Sequence, residues 1–130
     1  MGISLIASAV DIGRGATYAD EVNHRPKPLG DVDTSIMAVL ADAKLHGYAI
    51  LAEVRGLSDG RVRLGTGTLY GALERLQDRG CVAAEGEEVV DGRVRRYYRL
   101  TDDGRGALAS ELERREQLLT AARNRLAGAT

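Results

Sequence analysis

Tryptophan and phenylalanine are absent, and five tyrosines make up the whole aromatic content. Tyrosine is therefore the only ring available for packing or stacking. A single cysteine excludes an internal disulfide and fits a reducing compartment. No apolar run approaches the roughly 20 residues that a membrane-spanning helix needs. The first residues, Met1 to Val10, are fairly apolar, but no Lys or Arg precedes them, which argues against a secretory signal. These absences imply a cytoplasmic protein. Two histidines and one cysteine lie far apart in sequence, so no metal site is expected and no cofactor is implied. There is no Gly-Lys phosphate loop, no CxxC, no HExxH and no nucleophile with a base at useful spacing, so catalytic residues are not expected and the chain does not read as an enzyme.

Charge of one sign is also lacking. Eighteen Lys+Arg stand against 19 Asp+Glu, for a net charge of −1 and a pI of about 6.1. That excludes a protein that coats nucleic acid through bulk basicity, but it allows a local basic patch. Sixteen of the basic residues are Arg, the side chain that forks onto phosphates and guanine edges. At 130 residues the chain suits one compact domain with a tail.

Three parts follow along the sequence. Residues 1–32 form a partly flexible leader, with a possible short helix at 16–23 and a linker through Pro26 and Pro28 ending at Gly30. Residues 33–100 carry dense periodic structure, and 101–130 read as one long helix. Asp33 is a suitable N-cap for a helix with Ile36, Val39, Leu40 and Ala43 on one face and Lys44 near its end. A second helix starts near His46-Gly47-Tyr48, with His46 fixing the turn. Ile50, Leu51, Val54 and Leu57 make its stripe, and Ser58-Asp59-Gly60 is a turn. Arg61–Leu64 alternates as a short strand would. Thr66 is an N-cap candidate for a third helix with Leu69, Ala72, Leu73 and Leu76 inward and a stop at Gly80. Residues 81–90 and 93–100 flank Asp91-Gly92, a hairpin signal, because both turn positions need positive φ. Tyr98 is read as core and Cys81 as a small buried hydrophobe. Thr101 caps the last helix, with Asp102 and Asp103 in its first turn.

Helix, helix, short strand, helix and hairpin is the order of a winged helix-turn-helix, mostly α with a small β-hairpin. Its third helix enters the major groove and its hairpin is the wing. Three segments sharpen this: Leu45-His-Gly-Tyr48; Gly67-Thr-Leu-Tyr-Gly-Ala-Leu-Glu-Arg-Leu76; and Gly92-Arg-Val-Arg-Arg-Tyr-Tyr-Arg-Leu-Thr101 followed by Asp-Asp-Gly104. In this order and spacing they resemble the PadR family of bacterial transcriptional regulators over about residues 33–120; a start near residue 29 fits the resemblance equally well. The family usually places Ser-Pro before Gly-Thr-Leu-Tyr and Pro after it, where this chain has Gly65-Thr66 and Gly71.

Candidate DNA contacts follow. Arg93, Arg95, Arg96 and Arg99 are read as an unpaired basic cluster at the wing, suited to phosphate; Arg93, Arg95 and Arg96 are the wing contacts expected. Thr66, Thr68, Tyr70 and Arg75 point away from the leucine stripe of the third helix, and Tyr48 stands at a helix start. Glu74 and Asp78 share that side and repel DNA, so contacts should gather in the first two turns.

In the last helix, Leu108, Leu112, Leu119, Ala122 and Leu126 follow heptad-like steps if Arg115 takes one seam position. Pairing with a second copy would bury that stripe. The expected function is a sequence-specific DNA-binding transcriptional regulator, a homodimeric ligand-responsive repressor with a double-stranded DNA operator as partner. The resemblance suggests a small apolar effector between the dimer halves, though not one held between tryptophans. The alternative is a winged-helix protein–protein interaction module without DNA binding, which the acidic pI, Glu74 and Asp78 favour.

Overall fold

The computed structural model describes residues 27–129. The expected helix at 16–23 lies outside the described residues. Helix α1 (Asp31–Val39) leads into the two-residue strand β1 (Leu45–His46). Helices α2 (Gly47–Leu57) and α3 (Thr66–Asp78) follow, then strands β2 (Val82–Val90) and β3 (Arg93–Leu100), then the long helix α4 (Asp102–Gly128). The sheet has the order β1-β3-β2 and is antiparallel throughout.

Much of this was legible locally. His46 caps α2 as expected: its Nδ1 accepts the Ala49 amide at 3.2 Å. Thr101 Oγ1 accepts the Gly104 amide at 2.9 Å and donates to the Gly80 carbonyl at 2.6 Å, which ties the start of α4 to the end of α3. Asp91 and Gly92 take φ of 52° and 77°, the left-handed pair that a two-residue hairpin requires.

Four expectations are corrected. Asp33 is not an N-cap. Helix α1 opens two residues earlier, behind Gly30, and the Asp33 carboxylate instead receives Arg75 Nη2 at 2.9 Å. That long-range pair overrides the local capping preference. Lys44 lies beyond the end of α1, which stops at Val39; its ammonium sits 3.9 Å from Glu85 and 5.5 Å from the centre of the Tyr97 ring. Arg61–Leu64 forms no strand. Ser58 Oγ accepts the Val62 amide at 2.8 Å and holds that segment in a turn. The third strand is instead Leu45–His46, paired with Tyr98 and Tyr97. Finally, Gly65 rather than Thr66 is the N-cap of α3, with no side-chain hydrogen bond to the first turn, so Thr66 is the first helical residue.

The core gathers the inward stripes of the helices under the sheet. Ile36, Met37, Leu40, Ile50, Val54, Leu69, Leu73 and Leu76 are fully buried, with Cys81, Tyr98, Leu100 and Leu108 closing it. Removing one such aliphatic side chain to Ala costs about 2–5 kcal/mol. Gly104 lies so close to the Cys81 carbonyl that a Cβ there would overlap it.

Helix α4 is anchored through one further device. Glu111, 3% exposed, accepts the Leu29 amide at 2.8 Å and the Arg115 Nε at 2.7 Å, and it also pairs with Arg114. Arg115 reaches on to the Leu29 carbonyl at 3.0 Å, Thr34 Oγ1 at 3.1 Å and Asp31 at 3.0 Å. Burial alone would raise the Glu111 carboxyl. The Arg115, Leu29 and Arg114 hydrogen bonds outweigh that and hold it at about 2.

Candidate nucleic-acid interface

Two elements frame the candidate site. The leucine stripe of α3 turns Leu69, Ala72, Leu73 and Leu76 into the core, so Thr66, Thr68, Tyr70 and Arg75 are left on the outside. The sheet places the wing beside them, because β1 leads directly into α2 while pairing with β3. Between α2, α3 and the wing runs a groove of about 620 Å³. Tyr48, Tyr70, Arg93, Arg95 and Arg96 all line it, together with His46 and Gly47.

Tyr70 is fitted to this groove. A Cβ at Gly47 would stand 2.5 Å from the Tyr70 hydroxyl, so the glycine is what allows the phenol to lie across the start of α2. Tyr48 is 80% exposed, which is unusual for so large a ring and leaves it open to a partner. A smaller concavity of about 300 Å³ lies on its other side, lined by Tyr48, Leu51, Arg55, Arg63 and Thr66 among others. Tyr48 thus stands between two hollows, and Thr66 belongs to the second. Gly71, where the family pattern has proline, is not demanded by packing: a Cβ there would meet only Arg75 Nη1, at 3.9 Å.

Arg75 is turned away from the wing. Its guanidinium pairs with Asp33 of α1, although the side chain stays 59% exposed. Thr68 is exposed on the first turn of α3 but lines neither hollow. Arg55 and Arg63 line the smaller hollow beside Tyr48 and were not among the candidates read from the sequence. Arg55 could have been found, because Tyr48, Leu51, Ala52 and Arg55 share one face of α2 at helical spacing. Arg63 was hidden by the strand reading of its segment.

The unpaired basic cluster is corrected. Arg96 donates from Nη2 and Nε to Glu87 Oε2 at 3.2 and 3.3 Å, and Arg99 pairs with Glu85 at 2.9 Å. The Glu87 hydrogen bond holds Arg96 further toward its charged form. Tyr97 donates its hydroxyl to Glu88 at 3.0 Å, which raises the phenol, and its ring stands nearly perpendicular to the His46 ring with 5.4 Å between centroids. Across the hairpin, Glu85, Glu87, Glu88 and Asp91 match Arg93, Arg95, Arg96 and Arg99 charge for charge. Among the described residues, Arg93 and Arg95 have no carboxylate within ion-pair distance, nor do Arg55 and Arg63.

The described residues hold no group of three or more His, Cys, Asp or Glu that could bind a metal ion, and none of their helices is long and apolar enough to cross a membrane. A helical core, a groove-facing third helix and an arginine-bearing hairpin together define a winged helix-turn-helix of the kind found in transcriptional regulators. The chain belongs to the PadR-like family of transcriptional regulators, whose model matches residues 36–110. The family is one of regulators, not enzymes. The chain is 42% identical over 78 residues to a transcriptional regulator of Mycobacterium tuberculosis, covering 60% of this chain and 69% of that one. A transcriptional regulator from Clostridium thermocellum superposes with a TM-score of 0.64 at 27% identity, covering 72% of this chain and 90% of the other. Bacillus subtilis PadR in complex with operator DNA shares the fold, with a TM-score of 0.58 at 22% identity over 65% of this chain and 48% of that one.

Proposed function

We propose that the protein is a sequence-specific DNA-binding regulator, a cytoplasmic homodimeric repressor that recognises a double-stranded operator. The observation that carries this reading is the groove that gathers Tyr48, Tyr70, Arg93, Arg95 and Arg96 along one surface between α3 and the wing. The first turn of α3 enters the major groove, with Thr66, Thr68 and Tyr70 offering hydroxyls to base edges and phosphates. Arg93, Arg95 and Arg96 take backbone phosphates. Arg55 and Arg63 extend the phosphate track past Tyr48. Arg75 contributes only if it leaves Asp33.

Dimerisation rests on α4. Leu112, Leu119, Ala122 and Leu126 are exposed along it, an apolar stripe with nothing over it within the described chain. A second copy buries that stripe and sets two reading heads at a fixed separation. Leu108 drops out of the expected seam because it is buried in the domain's own core. A small apolar effector between the dimer halves alters that separation.

Genomic DNA capture with the purified protein, followed by titration of the recovered site, tests the reading. Arg95→Ala is expected to weaken binding to most sequences and flatten the salt dependence by about one phosphate's share. Tyr70→Phe weakens the operator without unfolding the protein. Loss of neither removes the groove from the interface, and capture of no DNA leaves the protein-docking alternative standing.

A further inference from the structure

The wing carries its own counter-charges, and one of them is placed by a defect in the hairpin. Strands β2 and β3 pair regularly at Val82–Ala84, then slip, so that Glu87 faces Arg96 and Glu88 faces Arg95. Unbroken pairing onward from Ala84↔Tyr98 would set residue 86 against Arg96 and would give Glu87 to Arg95, on the opposite face. The extra residue is accommodated at Gly86, whose φ of +85° suits glycine at a bulge. The bulge therefore sets the Glu87 carboxylate directly opposite Arg96, where unbroken pairing would have put Gly86, and Arg96 lines the groove beside Tyr48 and Tyr70.

The resulting Arg96–Glu87 pair is held at 3.2 Å with both side chains about half exposed. A pair in that setting is weak and exchanges readily. It still has two effects on an approaching duplex. Arg96 is already neutralised, so it adds nothing to the phosphate count unless Glu87 lets go, and Glu87 itself repels phosphate. Arg93, free of any such carboxylate among the described residues, has no comparable restraint.

We propose that Glu87 is a specificity-determining residue: it withholds Arg96 from duplexes that do not fit and yields it to a phosphate only where α3 and the wing seat together. This rests on the DNA-binding reading above. On non-cognate DNA the phosphates lie too loosely against the wing to compete with a covalently tethered carboxylate. On the operator, α3 fixes the register and brings a phosphate to Arg96.

Wild type, Glu87→Gln, Arg96→Ala and the double variant are titrated against two short labelled duplexes, one carrying the captured site and one with its bases scrambled. Glu87→Gln is expected to tighten the scrambled duplex about 5-fold and the captured site by less than about 2-fold, lowering the ratio between them. Its salt dependence on the scrambled duplex steepens by about 0.9 in the log–log slope, one added phosphate contact. The gain vanishes when Arg96 is Ala. Equal tightening on both duplexes, or a gain that survives Arg96→Ala, overturns the proposal, because it makes Glu87 a general repulsive charge. Wild type that binds DNA while Glu87→Gln leaves it unchanged also sinks this inference alone. Wild type that binds neither duplex sinks the DNA-binding reading with it. Thermal melts of all four proteins check that the exposed substitutions leave the fold intact.

Discussion

The first turns of α4 and its later turns belong to one helix but obey different rules. Up to Glu111 the helix is welded to the domain: Gly104 packs on the Cys81 carbonyl, Leu108 enters the core, and Glu111 grips Leu29. From Leu112 onward, every side chain except half-buried Arg115 is exposed, leucines included. At 27 residues and about 1.5 Å per residue, the helix is roughly 40 Å long, and beyond Arg115, over a little under half of it, every described side chain is exposed. The contrast separates residues that stabilise the fold from exposed residues that the dimer proposal calls on.

Substitutions can break or sharpen that contrast. The largest effect is expected at Gly104→Ala. The new Cβ overlaps a backbone carbonyl that cannot move without shifting the β2 entrance, so urea unfolding should report a loss of about 3 kcal/mol. Glu111→Gln follows, at about 2 kcal/mol, because the buried Leu29 amide and Arg115 lose their charged acceptor. The same carboxyl gives a pH signature. Its folded value is lowered from 4.5 to about 2, so its contribution is complete above the unfolded value and disappears as pH falls from about 4.5 to about 2. Chemical unfolding across that window should show wild type converging on Glu111→Gln.

Gly47→Ala should cost about 1 kcal/mol or less. The clash is with the far end of the Tyr70 side chain, which can swing aside. Its larger consequence is for the groove, where operator affinity should drop with little change in melting temperature. The smallest change in fold stability belongs to Leu119→Arg, within about 0.5 kcal/mol for an exposed position. Sedimentation is where it should register, as a shift from dimer to monomer. A wild-type protein that sediments as a monomer at micromolar concentration would remove the association half of the comparison.

The same division explains what the sequence disclosed. Features governed by neighbours in the chain were readable. Asp91-Gly92 sets a turn, Thr101 and His46 cap helices, and the spacing of Leu69, Leu73 and Leu76 declares a buried face. Features governed by partners far along the chain were not. Asp33 looks like a cap until Arg75, on another helix, arrives beside it. Leu45–His46 has too few residues to show alternation, so a strand there is invisible until β3 pairs with it. The wing arginines read as unopposed because a one-residue slip at Gly86 decides which carboxylate meets which guanidinium, and no local pattern announces that slip. Tyr48, Tyr70 and the arginines of residues 93–96 were read one by one as candidates. Their assembly around one groove depends on β1, the element least evident in the sequence.

His46 joins three parts at a single residue: it pairs through the backbone with β3, caps α2 and abuts the Tyr97 ring. The base of the wing is thereby riveted to the helix that leads to α3, while beyond Gly86 the two wing strands pair only with each other. The root of the hairpin sets the angle between the wing and α3.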